Sequence, residues 1–252
     1  MSEKENYSKA LVNVWVDYIN WNKRRQAEGG FLLNTLKKFN CQKIFDACLG
    51  DGADSIHLLK NSFNVTSNDL DNLFIQKAKE NANKQNVTLT ITKYDWKDLD
   101  KHFEKKSFDA ITCLGNSLTH LFSKKDRLKT LKNFLHILND NGILIIDERN
   151  YQNILDKREE ILSDEKFRLS NEFVYCGDNV RSRPIEISEN QVRLEIKDER
   201  SGKNWHLLIY PFRRGELLNL LKEIGFTKIE QYSDYKKGFY PDAEFYQYVC
   251  QK

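Results

Sequence analysis

Short apolar runs alternate with amphipathic segments of helical length through the middle of the chain. The runs have the length of buried strands, whereas the segments between them repeat apolar residues every three or four positions, as Leu128, Leu131 and Leu135 do. Strands that alternate with helices predict an α/β fold, with a parallel sheet covered by helices on both faces. The predicted strands are Lys43–Cys48, Asn64–Ser67, Leu89–Thr92, Phe108–Leu114 and Ile143–Asp147, and the predicted helices are Ala53–Lys60, Asp71–Lys84 and Lys124–Leu138.

Different patterns flank this central stretch. Before it, Tyr7–Asn20 and Phe31–Phe39 have helical spacing and are separated by a charged segment, which we expect to be a turn. After it, short alternating segments predict an antiparallel insertion or lid, followed by a helix and two strands that close the sheet. The lid strands are Glu172–Tyr175, Pro184–Ile187, Gln191–Glu199 and Asn204–Tyr210, and the closing elements are Arg213–Ile224, Phe226–Tyr232 and Glu244–Cys250.

A length of 252 residues suits one α/β domain with additions better than two independent domains. We expect residues 1–40 to form N-terminal helices that close over a cofactor, and residues 41–157 to form the cofactor-binding core. Residues 158–210 would be the lid over the substrate, and residues 211–252 would return to the core as its last helix and strands.

Composition narrows the class of protein further. Lys and Arg number 40 against 37 acidic residues, a balance that does not indicate a nucleic-acid partner. Five cysteines without a C-x-x-C pair predict neither a disulfide scaffold nor a metal site. The first residues are polar and no run approaches the length of a membrane span, so we expect a soluble cytoplasmic protein, either a monomer or a homo-oligomer.

The segment Phe45–Ser55 carries the clearest chemical signal. An apolar strand leads through Asp46 to Gly50 and Gly52, and a helix follows. Glycine lets the backbone turn tightly and approach a ligand, while the start of the helix offers free N–H groups. The third glycine of a dinucleotide fingerprint and the G-K-S or G-K-T of a P-loop are both absent.

Two acids favour S-adenosylmethionine over NAD as the cofactor. Asp46 precedes the glycines, where a carboxylate suits an ammonium group and would repel a pyrophosphate. Asp69 ends the second strand, where a carboxylate can accept both ribose hydroxyls. We expect Asp71 to cap the next helix and leave Asp69 for the ligand. Asp95 and Trp96, after the third strand, are candidates to contact the adenine.

With these residues assembled, the chain resembles the class I S-adenosylmethionine-dependent methyltransferases, and most closely the glycine N-methyltransferase and glycine/sarcosine N-methyltransferase family. The resemblance extends from about Trp15 to Tyr151 and is weaker beyond. It implies a Rossmann-like class I fold, with a mostly parallel seven-stranded sheet, helices on both faces and a small antiparallel lid. The segments that carry it are the glycine loop with Asp54-Ser55, Asn64–Asp69, Cys113–Leu121 and Ile146–Tyr151.

The family's site residues can be assigned position by position. The resemblance implies that Arg25 binds the methionine carboxylate of the cofactor, and that Asn116 and Arg149 bind the carboxylate of an amino-acid substrate. The remaining cofactor residues that we expect are Trp15, Asp46, Cys48, Gly50, Gly52, Asp69, Leu70, Asp95, Trp96, Leu114 and His120. The remaining substrate-site residues are Tyr18, Tyr151, Tyr175 and Tyr210.

The chain departs from the family at three places. Cys48 stands where the loop usually has glycine or alanine, and Glu148 replaces the usual histidine before Arg149. Residues 166–203 match poorly, which leaves the shape of the lid and the size of the substrate open.

The leading expectation is an N-methyltransferase that acts on glycine, sarcosine or a similar small amino acid, with no metal. Arg149 can bind a carboxylate bidentately and so aim the amine at the transferred methyl group. A methyltransferase of another small amine or natural product, and a cofactor-binding module without activity, are the alternatives. Nucleic-acid methyltransferases usually carry N-P-P-Y or D-P-P-Y where this chain has Gly115-Asn116-Ser117-Leu118.

Overall fold

A computed structural model describes residues 8–166 and 179–252. Within these ranges the chain forms two sheets. The strands are β1 Lys43–Asp46, β2 Asn64–Asn68, β3 Thr90–Thr92, β4 Phe108–Cys113, β5 Leu138–Arg149, β6 Val180–Ile187, β7 Val192–Asp198, β8 Asn204–Ile209, β9 Lys228–Ser233, β10 Lys236–Lys237 and β11 Phe245–Gln251.

The larger sheet has eight strands in the order β10-β9-β11-β5-β4-β1-β2-β3. Parallel pairing joins β3, β2, β1, β4 and β5. The strand β11, which lies between β9 and β5, runs antiparallel to both of them, so β9 has the same direction as the five strands of the parallel group. The mostly parallel sheet is therefore confirmed, and the two-residue β10 extends it by one strand beyond the seven predicted.

Helices precede, connect and follow these strands. Those at residues 9–19, 31–38, 53–60, 72–84, 124–137 and 216–223 agree with the sequence predictions to within a few residues. We expected the segment between the first two predicted helices to be a turn. This prediction is wrong, since the segment forms a helix of its own. The helices are α1 Lys9–Ile19, α2 Trp21–Glu28, α3 Phe31–Lys38, α4 Ala53–Lys60, α5 Asn72–Lys84, α6 Lys124–Ile137, α7 Tyr151–Asp156, α8 Arg158–Ser163 and α9 Glu216–Glu223.

Both faces of the large sheet are covered, as the alternation along β5 shows. Leu144 and Ile146 pack on one face with α6 and α9. Ile143 and Ile145 pack on the other face with α3 and α4. Both faces of the central strands are buried, which accounts for their near-continuous apolar sequences.

The smaller sheet contains β6, β7 and β8 in antiparallel order and corresponds to the predicted insertion. Its apolar residues form one cluster with Leu11 of α1, Ile154 of α7 and Ile161 of α8. The three helices therefore cover this sheet and join it to the carboxyl end of β5. The predicted strand Glu172–Tyr175 lies outside the described residues.

In the described ranges no helix is long and apolar enough to cross a membrane. The four cysteines in these ranges, Cys41, Cys48, Cys113 and Cys250, are free thiols.

One carboxyl group is buried within the sheet away from any described cation. Glu148 lies in β5 and is 3% exposed, and its Oε1 accepts the hydroxyl of Tyr248 at 2.6 Å. No described residue donates a hydrogen bond to its Oε2. Burial raises the pKa of Glu148 to about 8, with Glu216 and Asp147 adding to the rise.

This raised pKa predicts that Glu148 makes the free energy of unfolding fall as pH increases. The folded protein retains a proton on Glu148 that the unfolded chain releases near pH 4.5, so stability is lost between that pH and about 8. The free energy of unfolding of Glu148→Gln, measured by urea unfolding, should rise relative to that of the parent protein by roughly 4 kcal/mol between pH 5 and pH 9. The exposed Glu104→Gln serves as the control. Equal pH slopes for Glu148→Gln and the parent would contradict the prediction.

Candidate functional site

The carboxyl ends of β1, β2, β4 and β5 meet at one edge of the sheet, since these strands are parallel neighbours. In open α/β sheets, ligands bind outside this edge. The loops that follow the four strands carry most of the residues expected to bind a cofactor or a substrate.

The glycine loop connects β1 to α4. Gly50 and Gly52 both have a left-handed backbone, with φ of 52° and 95°. A Cβ at Gly52 would lie 3.0 Å from Ile56 and 3.3 Å from Ala78, so this glycine allows α4 to approach α5. A Cβ at Gly50 would meet no atom within 4 Å, so the backbone of Gly50 borders open space. The two glycines thus differ: Gly52 permits close helix packing, and Gly50 borders open space.

Asp69 follows β2 and contacts the glycine loop directly. Its Oδ2 accepts the N–H of Gly50 at 2.8 Å, and its Oδ1 accepts the N–H of Asp71 at 2.9 Å. Asp71 caps α5, as predicted, by accepting the N–H groups of Leu73 and Phe74. Each Asp69 oxygen keeps a second lone pair, so the carboxylate can still accept hydroxyl groups. The adjoining Leu70 is 50% exposed.

The residues expected near an adenine have structural contacts of their own. Asp95 accepts the N–H of Lys97 at 2.9 Å and so begins the short helical turn Trp96–Lys101. The indole N–H of Trp96 donates to the carbonyl of Ala47 at 2.7 Å, and this bond fixes the start of the glycine loop. The thiol of Cys48 donates to the carbonyl of Leu114 at 3.2 Å, so the unusual cysteine joins the loops after β1 and β4.

Helix α2 lies across the glycine loop through a row of polar contacts. The indole N–H of Trp21 donates to Asp51 at 2.9 Å, and the guanidinium of Arg24 donates to Asp54 at 2.6 Å. Arg25 forms ion pairs with both Asp54 and Glu28. Arg25, which we expected to contact a cofactor, therefore lies at the glycine loop, where its guanidinium is already paired with two carboxylates. We refer to Arg24, Arg25, Glu28 and Asp54 as the α2 ion cluster.

A buried carboxylate organises the loop after β4. Asp147, at the carboxyl end of β5, is 3% exposed and accepts the N–H of Gly115 at 3.1 Å and that of Asn116 at 2.6 Å. Both donors have a left-handed backbone, with φ of 71° and 64°. The side-chain oxygen of Asn116 then accepts the N–H of Arg149 at 3.1 Å, and its amide nitrogen donates to the hydroxyl of Tyr151 at 2.6 Å. The structure therefore brings Asn116, Arg149 and Tyr151 together.

The side chain of Arg149 lies over an aromatic ring. Its guanidinium carbon is 4.5 Å from the ring centroid of Phe245, against which Tyr18 of α1 also packs. The hydroxyl of Tyr18 donates to Ser182 of β6 at 2.9 Å. Trp15 contacts Tyr18 and, on its other side, Phe74 of α5. Helix α1 thus connects the predicted substrate side with the predicted cofactor side.

Three further residues were expected at the site. The hydroxyl of Tyr210 donates to Glu216 at 2.9 Å, and the guanidinium carbon of Arg127 lies 3.8 Å from the centroid of its ring. The backbone N–H of Tyr210 donates to the carbonyl of Thr119, in the loop after β4, at 2.8 Å. His120 ends the turn Ser117–His120 and is exposed. Tyr175 lies outside the described residues.

The edge of the sheet carries more buried carboxylates than buried cations. Burial raises the pKa of Asp46, Asp51 and Asp147 to about 6 in each case. Asp54 is the exception, because Arg24 and Arg25 overcome its burial and hold its pKa at about 2. Three carboxylates that lack a full counter-charge favour a cationic ligand at this edge.

The apolar periodicity of the sequence does not identify Trp21, Arg24, Asp51 and Asp54 as candidates for the site. A polar pattern could have indicated the helix that contacts the glycine loop: the positions i, i+3, i+4 and i+7 of one helical face are occupied by Trp21, Arg24, Arg25 and Glu28.

Comparison with known proteins places this geometry in context. Residues 44–142 match the family described as "Methyltransferase domain". A glycine/sarcosine N-methyltransferase from Aphanothece halophytica is 37% identical over 249 residues, which cover 98% of this chain and 89% of that protein. The glycine/sarcosine N-methyltransferase from Halorhodospira halochloris is 36% identical with the same coverage.

The fold is also found among solved structures. An S-adenosylmethionine-dependent methyltransferase from Clostridium acetobutylicum superposes with a TM-score of 0.73 and 18% identity, covering 96% of this chain and 97% of that one. At this identity the match supports the class I fold alone.

The charge of the site fits S-adenosylmethionine, which carries a positive sulfonium and a positive ammonium. Asp46, Asp51 and Asp147 supply buried negative charge at the edge of the sheet that carries the glycine loop. Gly50 borders open space, and Asp69 has acceptor capacity for ribose hydroxyls.

The buried position of Asp54 predicts a large loss of stability when its charge is removed. Asp54→Asn removes the carboxylate that Arg24 and Arg25 share and leaves Glu28 as the one carboxylate of the α2 ion cluster, so the free energy of unfolding should fall by roughly 3 kcal/mol, measured by urea unfolding. The matched control is Asp140→Asn, which breaks the exposed pair with Lys106 and should leave the midpoint unchanged. A small, similar change in both variants would show that the cluster adds little to stability.

Proposed function

The chain belongs to the glycine/sarcosine N-methyltransferase family of S-adenosylmethionine-dependent methyltransferases, and from that premise we propose that it methylates the amine of glycine or sarcosine. The observation that carries the proposal is the pairing of Arg149 with Asn116 beside a cofactor edge rich in buried carboxylates. The named activities of its relatives support the same substrate class.

In this proposal the substrate binds by its carboxylate. The guanidinium of Arg149 offers two parallel N–H donors, and the Asn116 amide nitrogen retains a second N–H after it donates to Tyr151. The amide of Asn116 cannot rotate freely because both of its ends are already hydrogen-bonded. These two residues would therefore hold the carboxylate in one orientation.

The cofactor, when bound, would supply an electrophilic methyl group on its sulfonium sulfur. Arg149 and Asn116 contribute mainly by position, because holding two reactants in alignment can supply about 7–11 kcal/mol of the barrier. Tyr151 is suited to hydrogen bonding rather than to proton abstraction, since burial raises its pKa far above the neutral range. Tyr18 of α1 packs against Phe245, the ring over which the guanidinium of Arg149 lies.

The cofactor side of the proposal assigns one group to each part of the ligand. Asp69 would accept the ribose hydroxyls, Leu70 and Asp95 would border the adenine, and Arg25 would receive the methionine carboxylate. The loop around Gly50 would follow the chain of the ligand between them. His120, Tyr175 and Tyr210 stay predictions from the resemblance.

A methyl-transfer assay against matched amines tests the substrate class. With isotopically labelled S-adenosylmethionine and detection by mass spectrometry, we expect label in glycine or sarcosine. Glycinamide is the matched control: it keeps the amine but lacks the carboxylate, and its turnover should be at least about 100-fold lower. Transfer mainly to amines without a carboxylate would favour the small-amine alternative. Cofactor binding without any transfer would favour a non-enzymatic module.

Replacing Arg149 should separate substrate binding from cofactor binding. Arg149→Gln removes the positive charge and the two parallel N–H donors of the guanidinium. KM for the amino acid should therefore rise roughly 100-fold, while Kd for S-adenosylhomocysteine changes less than about twofold. Arg149→Lys should recover only part of the loss, because a single ammonium cannot bind a carboxylate bidentately. Arg213→Gln, at an exposed ion pair with Glu189, is the control. A parallel loss of both affinities would assign Arg149 a structural role.

A further inference from the structure

The α2 ion cluster is already electrically balanced. Its two guanidinium groups face two carboxylates, Asp54 and Glu28. Both oxygens of Asp54 are used, one by Arg24 and the other by Arg25. Both oxygens of Glu28 are also used, because Oε2 accepts from Arg25 and Oε1 accepts the N–H of Leu32 at 3.0 Å.

A further carboxylate on Arg25 would therefore leave the cluster with an excess negative charge. Arg25, the proposed ligand of the methionine carboxylate, has only 21% of its side chain exposed, and Glu28 only 5%. At such burial an unbalanced charge is costly, so one carboxylate must leave or become neutral.

The structure distinguishes the two candidates. Asp54 is held by two guanidinium groups, whereas Glu28 has one guanidinium and one backbone N–H. Consistently, the two arginines hold the pKa of Asp54 at about 2, whereas burial and the nearby Asp54 raise the pKa of Glu28. Displacing or protonating Glu28 therefore costs less free energy than displacing or protonating Asp54.

Space for the Glu28 side chain exists next to it. A cavity of about 330 Å³ adjoins Glu28 on the side of α3 and β9, and Asn34, Thr35 and Tyr232 contribute polar groups to its wall. Glu28 is the last residue of α2, and it is followed by Gly29 and Gly30, whose φ of 58° and 80° are left-handed. A side chain at the end of a helix, beside a glycine pair and a polar cavity, can change rotamer without moving the sheet.

We propose that Glu28 holds the place of the cofactor carboxylate on Arg25, and that it takes up one proton from solvent and turns into the adjoining cavity when that carboxylate binds. This inference rests on the proposed role of Arg25. It makes Glu28 a positioning residue that couples cofactor affinity to pH.

Several other charged or titratable groups lie near the cluster. Glu28 faces Arg24 and Arg25 on its own helix and Asp54 on α4, and His57 of α4 lies near the same arginines. Lys38, Tyr232 and Tyr235 line the adjoining cavity. Asp46, Asp51 and Asp147 lie along the same edge and would release protons to a cationic ligand rather than take them up. A comparison of the parent protein with one Glu28 variant cancels these contributions.

The test is calorimetric titration of S-adenosylhomocysteine into the parent protein and Glu28→Gln, in buffers of different ionisation enthalpy. Glutamine keeps an acceptor for the N–H of Leu32 and imitates the protonated acid. Near neutral pH the parent should take up close to one proton more than Glu28→Gln. At pH 8 Glu28→Gln should bind about tenfold more tightly than the parent, a difference that disappears as pH falls.

The control ligand is 5′-methylthioadenosine, which lacks the amino-acid portion and should bind both proteins alike. The control variant Glu80→Gln, at an exposed position on α5, should behave as the parent. Equal proton uptake by the parent and Glu28→Gln would overturn the proposal about Glu28. Arg25→Gln tests its premise separately: if this variant still prefers S-adenosylhomocysteine over 5′-methylthioadenosine by the parent's factor, Arg25 is not the carboxylate ligand.

Discussion

The buried carboxylate of Asp147 holds together the loop and strand ends on which the proposed substrate site depends. It accepts two backbone N–H groups from a loop whose residues Gly115 and Asn116 have left-handed backbone conformations. Because β4 and β5 are parallel neighbours, these bonds join the ends of two adjacent strands. The side chain of Asn116 is then fixed between Arg149 and Tyr151. The direction of the Arg149 backbone, and so the place of its guanidinium over Phe245, follows from this one acceptor.

Buried carboxylates also shape the proposed cofactor side of the site. Asp46, Asp51 and Asp147 are buried with pKa values raised to about 6, so the edge of the sheet attracts positive charge. Arg24 and Arg25 bring the only described guanidinium groups of α2 to this edge, and Asp54 balances them. The sulfonium and ammonium of S-adenosylmethionine suit the carboxylates, and its own carboxylate suits the arginines. One zwitterionic ligand can therefore complement both halves of the edge.

The sequence predicted the central sheet because its strands are buried on both faces and its helices are amphipathic. It also identified Asp71 as a cap. Asp69, which was expected to accept ribose hydroxyls, contacts the glycine loop through the N–H of Gly50, and its role toward a ligand stays a prediction. The sequence failed to predict α2, whose eight residues contain few apolar side chains and are held by ion pairs with the glycine loop. Such tertiary contacts leave no hydrophobic period to detect. Tyr210 stays a prediction from the resemblance: its hydroxyl and ring contact Glu216 and Arg127, and its backbone N–H donates to Thr119 in the loop after β4.

We propose that one pair of residues, Arg149 and Asn116, positions the substrate amine against the cofactor. A crystal structure with S-adenosylhomocysteine and glycine would test this pair, because both ligand ends can then be located. We expect the glycine carboxylate on the guanidinium of Arg149 and the side-chain amide of Asn116, with the amine directed toward the sulfur. A glycine carboxylate bound by other residues, or an amine that faces away from the sulfur, would contradict this proposal.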